Sequence, residues 1–270
     1  MYGVEYRRAS SVAEALQLLE SNPDAKLLAG GQSLIAAMKL RLSAPSMLVD
    51  LGALKELGAI AVSDTSVTLG AMVRHAQVAE SSEICTAIPA LSSLAKGVGD
   101  HMVRNMGTIG GSVANNDPAA DYPSALLALD ALVKTTKRAI AAEDFFLGMY
   151  ETALEPGEII VSIRLRNPAR ARYMKFKNPA SRFAMVGVFI ADFGDESRVA
   201  VTGAASSVFR VAEMEAALSR NFDAASLDGI SISPNDLASD LHSQADYRAH
   251  LIEVLARRAV IDMTEAAASA

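Results

Sequence analysis

Between residues 104 and 123 the chain reads RNMGTIGGSVANNDPAADYP, and no other stretch restricts the fold as much. Gly107, Gly110 and Gly111 surround Thr108 and Ile109, and small and amide side chains then lead to Asp117 and Pro118. Glycine lets backbone approach a neighbour closely and supplies dihedrals that other residues resist. Successive N–H groups in such a turn form a concavity suited to an anion. Thr108 and Ser112 add hydroxyls, and Asp121 can accept from a ribose or polyol hydroxyl. The same composition also serves a plain glycine loop that packs two strands together, so this stretch alone leaves both readings open.

A second stretch narrows the choice. In AKLLAGGQSL, residues 25–34, Lys26, Leu27 and Leu28 read as a short strand, Ala29 to Gln32 as a tight loop, and Ser33 as the cap of a following helix. A helix start of this kind favours negative charge. Two glycine-hydroxyl loops suggest a ligand with two phosphates, each loop holding one side.

Together these residues resemble the flavoprotein (medium) subunit of molybdenum hydroxylases, the carbon monoxide dehydrogenase and xanthine dehydrogenase family. The matching elements are AGGQS at 29–33, RNMGTIGGS at 104–112, DPAAD at 117–121 and, in support, residues 240–259. The resemblance implies an α+β chain: a two-subdomain FAD-binding fold of the vanillyl-alcohol oxidase (PCMH) type over residues 1–168, with subdomains of about 1–54 and 55–168. A C-terminal antiparallel sheet with helices would occupy 169–270. It implies that Ala29, Gly30, Gly31, Gln32, Ser33 and Leu34 hold one side of FAD and Gly107, Thr108, Ile109, Gly110, Gly111 and Ser112 the other. Asp121 would take a cofactor hydroxyl, while Ile160, Lys177 and Phe183 match later flavin-contacting positions. Gln32 stands where some relatives have His, and Phe183 where some have Tyr.

The implied partners are a large molybdopterin subunit and a small subunit with two [2Fe–2S] clusters, as a dimer of heterotrimers. Electrons would pass from the clusters to FAD and on to an external acceptor: NAD, a quinone, oxygen or another. The redox chemistry would be the cofactor's, and no residue is expected to act as nucleophile or general base. Two alternatives stay open: a stand-alone flavin oxidoreductase of the same fold, and a non-catalytic assembly subunit without cofactor.

Composition excludes other classes. Of 270 residues 51% are hydrophobic, ample for a core. With 25 basic against 31 acidic residues the net charge is −6, which argues against a nucleic-acid surface. The opening MYGVEYRRASS carries no long apolar segment and no stretch is long enough to span a bilayer, so a cytoplasmic location is expected. Cys85 is the single cysteine, so an internal disulfide is excluded and no cluster can be ligated by this chain alone. His75, His101, His242 and His250 lack metal-ligand spacing and read as surface or helix-end residues, His101 being left open for its nearness to the glycine loop. Gly97, Val98 and Gly99 lack the third glycine of a dinucleotide fingerprint, and no P-loop occurs.

Along the chain, Ser11 and Glu14 form a capping box before a helix. A helix over 34–42, a buried strand over 47–51 and a hairpin around 63–66 follow. Helices are expected near 75–80, 89–96, 122–130, 211–220 and 247–263. Strands are expected at 132–136, 159–165, 172–177, 184–191 and 199–205, with a boundary at 166–169. Arg248, Arg257 and Arg258 read as a solvated helix face, and residues 265–270 as frayed. Lys177 is either a counter-charge for a reduced flavin or an exposed strand lysine. Phe183 either packs on the flavin or starts a core strand with Met185 and Val186.

Overall fold

The structure is a computed structural model describing residues 2–268. Its first part alternates β1 (Glu5–Arg8), α1 (Val12–Ser21), β2 (Lys26–Leu28), α2 (Leu34–Lys39) and β3 (Met47–Asp50). β3 lies between β1 and β2, parallel to both, as strands joined by helical crossovers require. Ser11 caps α1 by accepting from the Glu14 N–H at 3.1 Å. The return half of the expected capping box is shifted by one residue: the Glu14 carboxylate accepts from the N–H and the hydroxyl of Ser10. α2 ends earlier than expected, and Arg41 just beyond it has φ +61°.

A second sheet orders its strands β4 (Ile60–Val62), β5 (Ser66–Gly70), β10 (Ile160–Arg166), β6 (Leu132–Thr135) and β7 (Ala139–Ala141), all antiparallel. Between β5 and β6 the chain makes α3 (His75–Glu80), α4 (Ser82–Ala87), α5 (Pro89–Lys96), α6 (His101–Met106), α7 (Ile109–Asn115) and α8 (Tyr122–Ala128). After β7 come a turn of helix, α9 (Ala142–Phe145), and a small hairpin, β8 (Phe146–Gly148) with β9 (Glu151–Thr152). α4, α9, β7 and the hairpin carry no periodicity long enough to read from sequence. Leu126, Leu127 and Leu129 are buried, as the apolar run of α8 suggests.

The last part is a meander, β11 (Arg170–Lys177), β12 (Ala184–Asp192), β13 (Ser197–Thr202) and β14 (Phe209–Arg210), followed by α10 (Ala212–Arg220) and α11 (Ala245–Ala268). β12 is buried along its whole length because both its faces are covered. Val188 and Ile190 join the core beneath α11, while Phe189 and Ala191 join the core that contains α8. That alternation is the period of two expected of a strand.

One expectation for α11 fails. Arg248 is buried, not solvated: it donates to the carbonyls of Met185 (2.7 Å) and Gly203 (2.8 Å) and to Asp240 (2.7 Å). Its fork ties the helix start to two strands, which a helical wheel cannot foresee. Arg257 is exposed and pairs with Asp228. α11 continues to Ala268, through part of the segment expected to fray, and Ser269 and Ala270 lie outside the described residues.

Candidate cofactor site

The stretch expected as one glycine loop is two helices and a two-residue joint. α6 ends at Met106, Gly107 and Thr108 turn the chain, and α7 begins at Ile109. Thr108 is the reason: its hydroxyl caps α7 by accepting from the Gly111 N–H at 3.1 Å. Residues 71–75 run alongside and fix the joint. His75 N–H donates to Gly107 O (3.0 Å), Ile109 N–H to Val73 O (3.0 Å) and Gly110 N–H to Ala71 O (2.9 Å).

Each glycine here has its own neighbour. A Cβ on Gly110 would lie 2.6 Å from that of Ala71, so this residue packs against its own fold and its N–H is already taken. A Cβ on Gly107 would lie 2.6 Å from His75 Nε2. One on Gly30 would lie 2.6 Å from the Gly107 Cα and also collide with the Met106 carbonyl. Gly111 faces Ala29, whose Cβ would be 3.6 Å away. The two glycine stretches, far apart in sequence, thus meet backbone to backbone.

On the outer side of that contact, Gly30, Gly31, Gln32, Ile35, Ala36, Lys39 and Met106 line a cavity of about 310 Å³. Gly31 has φ +70°, a conformation that glycine adopts at little cost. Ser33 does not cap α2 as expected: its backbone is already α-helical and its hydroxyl makes no cap bond. Leu34 begins α2, half-buried, and Ile109 is fully buried under α7. Ser112 stands on α7, with its N–H bonded to Thr108 O.

Asp121 sits deeper than a surface acceptor. Only 5% exposed, its carboxylate accepts from Tyr173 OH at 2.5 Å and from Lys175 Nζ at 2.9 Å. Burial pushes the Asp121 carboxyl up, against the pull of Lys175 and Tyr173. Burial, and then the Asp121 charge, raises the Tyr173 and Tyr122 hydroxyls. His75, read from sequence as a surface residue, is also buried. Its ring lies 5.3 Å from that of Tyr122, and burial, then the Arg104 charge, lowers it to about 4. His75 Nδ1 and the Tyr122 hydroxyl are buried with no hydrogen-bond partner, although buried polar groups are nearly always satisfied.

Lys177 ends β11, exposed, on the wall of a second cavity of about 400 Å³. Phe183 is 49% exposed, so it does not start a core strand; it lies in the turn where Asn178 N–H donates to Phe183 O and Arg182 has φ +63°. Ile160 is buried in the core beside an irregularity of β10, with its side chain committed to packing. Sequence reasoning missed His75, Tyr122, Tyr173 and Lys175. One signal was available: Tyr173, Lys175 and Lys177 share one face of β11 by their spacing of two.

The family described as the FAD binding domain in molybdopterin dehydrogenase matches residues 2–168. The chain is 32% identical to the nicotine 6-hydroxylase medium subunit of Paenarthrobacter nicotinovorans, over 96% of each chain. It is 34% identical to the carbon monoxide dehydrogenase medium chain of Hydrogenophaga pseudoflava, over 95% of each. Among solved structures, reconstituted CO dehydrogenase from Oligotropha carboxidovorans superposes with a TM-score of 0.88 at 32% identity, covering 97% of this chain and 98% of the other. With two glycine stretches in contact, unsatisfied polar groups beside them and these relatives along nearly its full length, the chain belongs to the FAD-binding domain family of molybdopterin dehydrogenases, as a flavoprotein of the medium-subunit type.

Proposed function

We propose that this chain is the flavoprotein subunit of a heteromeric molybdenum hydroxylase. The observation that supports the reading is the backbone contact of Gly30 with Met106 and Gly107, which brings the two glycine-hydroxyl stretches together. Gly30, Gly31, Gln32 and Ser33 would hold one part of the cofactor pyrophosphate, with Thr108, Gly111 and Ser112 on the other side. Gly110 supports that side by packing on Ala71. FAD, when bound, would supply the redox chemistry that no side chain here has, with the [2Fe–2S] clusters of a small subunit as electron source and an external acceptor as sink.

The chain's own residues bind, orient and exclude water. The buried Asp121 is held by Tyr173 and Lys175, so a cofactor hydroxyl would meet an acceptor whose position is already fixed. His75 Nδ1 and the Tyr122 hydroxyl, on neighbouring rings beneath Gly107, are buried without a hydrogen-bond partner. We further propose assembly with a large molybdopterin subunit and a small iron–sulfur subunit, as a dimer of heterotrimers in the cytoplasm. The medium-subunit names of the full-length relatives support the heteromer.

The test is purification with the native partners. Stoichiometric FAD, released by acid, and co-eluting chains that carry Mo and Fe are expected. Gly111→Val places a branched side chain between Thr108 and Ala29 and should abolish flavin retention. A folded variant that keeps its FAD would exclude this loop from the site. If the isolated chain turns over substrate as fast as the native preparation, the stand-alone enzyme is the correct reading.

A further inference from the structure

The methionines of this chain differ sharply in their access to solvent. There are 11 in the sequence. Met38, Met47, Met185, Met214 and Met263 are buried, whereas among the described residues Met102, Met106 and Met149 are exposed, at 77%, 52% and 58%. Of these three only Met106 lines the cavity on the outer side of the glycine contact, together with Gly31, Gln32 and Lys39. Its backbone is fixed in place: Met106 ends α6, and a Cβ on Gly30 would strike its carbonyl. The side chain is the part that can change, and Lys39 is the one charged residue that lines the cavity with it.

A thioether presents apolar surface and accepts hydrogen bonds only weakly. Hydrogen peroxide, which is what oxygen becomes when it accepts two electrons, converts it to a sulfoxide. The sulfur lone pair forms an S–O bond as the O–O bond breaks. Sulfur loses two electrons, and the other peroxide oxygen leaves as water after a proton transfer. The new oxygen is a strong acceptor with partial negative charge. Beside Lys39 and the backbone of Gly31 and Gln32, it would compete with an anionic ligand for the same donors and repel that ligand's oxygens. Methionine sulfoxide reductases reverse the reaction.

We propose that Met106 is a reversible oxidation site, at which hydrogen peroxide lowers FAD uptake by the flavin-free chain. That the ligand is FAD rests on the proposed function; the oxidation site rests on the exposure and position of Met106. Met102, one turn earlier on α6, is the internal control: it is more exposed than Met106 and does not line the cavity.

In the experiment the full chain, stripped of flavin, is treated with graded hydrogen peroxide, quenched with catalase, mapped by peptide mass spectrometry and titrated with FAD. Sulfoxide is expected at Met102, Met106 and Met149 before the buried Met38 and Met214. The FAD dissociation constant should rise about tenfold as Met106 converts, and methionine sulfoxide reductase should restore it. FAD bound beforehand should shield Met106 but not Met102. Met106→Leu should make uptake insensitive to peroxide, each variant being compared with its own untreated sample. Met106→Gln, a polar stand-in for the sulfoxide, should bind weakly without treatment, while Met102→Leu should leave the sensitivity in place. Unaltered uptake by chains fully oxidised at Met106, or an equal loss in Met106→Leu, overturns the proposal. So does a Met106 that stays reduced while Met102 is oxidised. The wild-type series decides even if a variant fails to fold. If the untreated wild type takes up no FAD, the proposed function falls and this proposal with it; if it does and oxidation changes nothing, only this proposal falls.

Discussion

The two glycine stretches have similar composition but opposite structural standing. In 107–112 nearly every backbone group is committed: Thr108 caps α7, and residues 71–75 bind the joint through Gly107, Ile109 and Gly110. In 29–33 the hydroxyl of Ser33 makes no cap bond and Gly31 is held in a left-handed conformation. The first stretch leans on the second through Gly30. One wall is braced by the fold; the other is braced by that wall. A glycine-hydroxyl pattern therefore reports where backbone comes close, without saying which groups stay free for a ligand.

The largest effect should come from breaking the contact between them. Gly30→Val drives a branched side chain into the backbone of Met106 and Gly107, which cannot rotate away. A loss of about 3 kcal/mol is expected in chemical denaturation, in the upper range for overpacking, together with loss of FAD. Unchanged stability would mean that the stretches part easily and that the proposed two-walled site is not closed.

The braced wall should also be acid-sensitive through His75. The unfolded chain takes up this proton near its ordinary value of 6.5 and the folded one only near 4. The unfolded state thus binds more protons in that window, and stability falls as the pH falls. Below pH 4 both states are protonated and the loss levels off. The share due to His75 is about 3 kcal/mol across the window, read as the difference in pH slope between the wild type and His75→Asn. Parallel slopes would remove His75 from the account.

Smaller effects separate the hydroxyls. Thr108→Ala removes a helix cap and should lower stability by about 1 kcal/mol, visible as a shift of the denaturation midpoint. Ser33→Ala should change stability by less than about 0.5 kcal/mol, as for a surface substitution, yet weaken FAD binding about tenfold by removing a bond to a charged group. If Ser33→Ala is the more destabilising of the two, the comparison is reversed.

Much of this was legible in the sequence. The strand β12, the apolar run of α8 and the Ser11 cap follow from local composition and capping chemistry, and AGGQS and GTIGGS are two stretches that the fold brings into contact. What stayed hidden depends on distant partners. His75 reads as a helix-end residue because Gly107, which covers it, is more than thirty residues away in the chain. Arg248 reads as solvated because the carbonyls it binds lie on β12 and just after β13. Asp121 reads as a free acceptor because Tyr173 and Lys175 belong to another sheet.

The family match stops at residue 168, but the packing does not. The turn at Pro118 to Ala120 is stitched to the end of β13: Thr202 OH donates to the Ala120 carbonyl at 2.6 Å, and Gly203 N–H to that of Pro118 at 2.8 Å. α8 lies directly on β12 and β13. A protein severed at the turn between β10 and β11 would lose the sheet that shields α8 and the strand that holds Asp121. The N-terminal piece would keep its glycine stretches but present a bare apolar face to water. Such a fragment is a poor candidate for a minimal flavin carrier, and the last hundred or so residues are better regarded as the far wall of the same room.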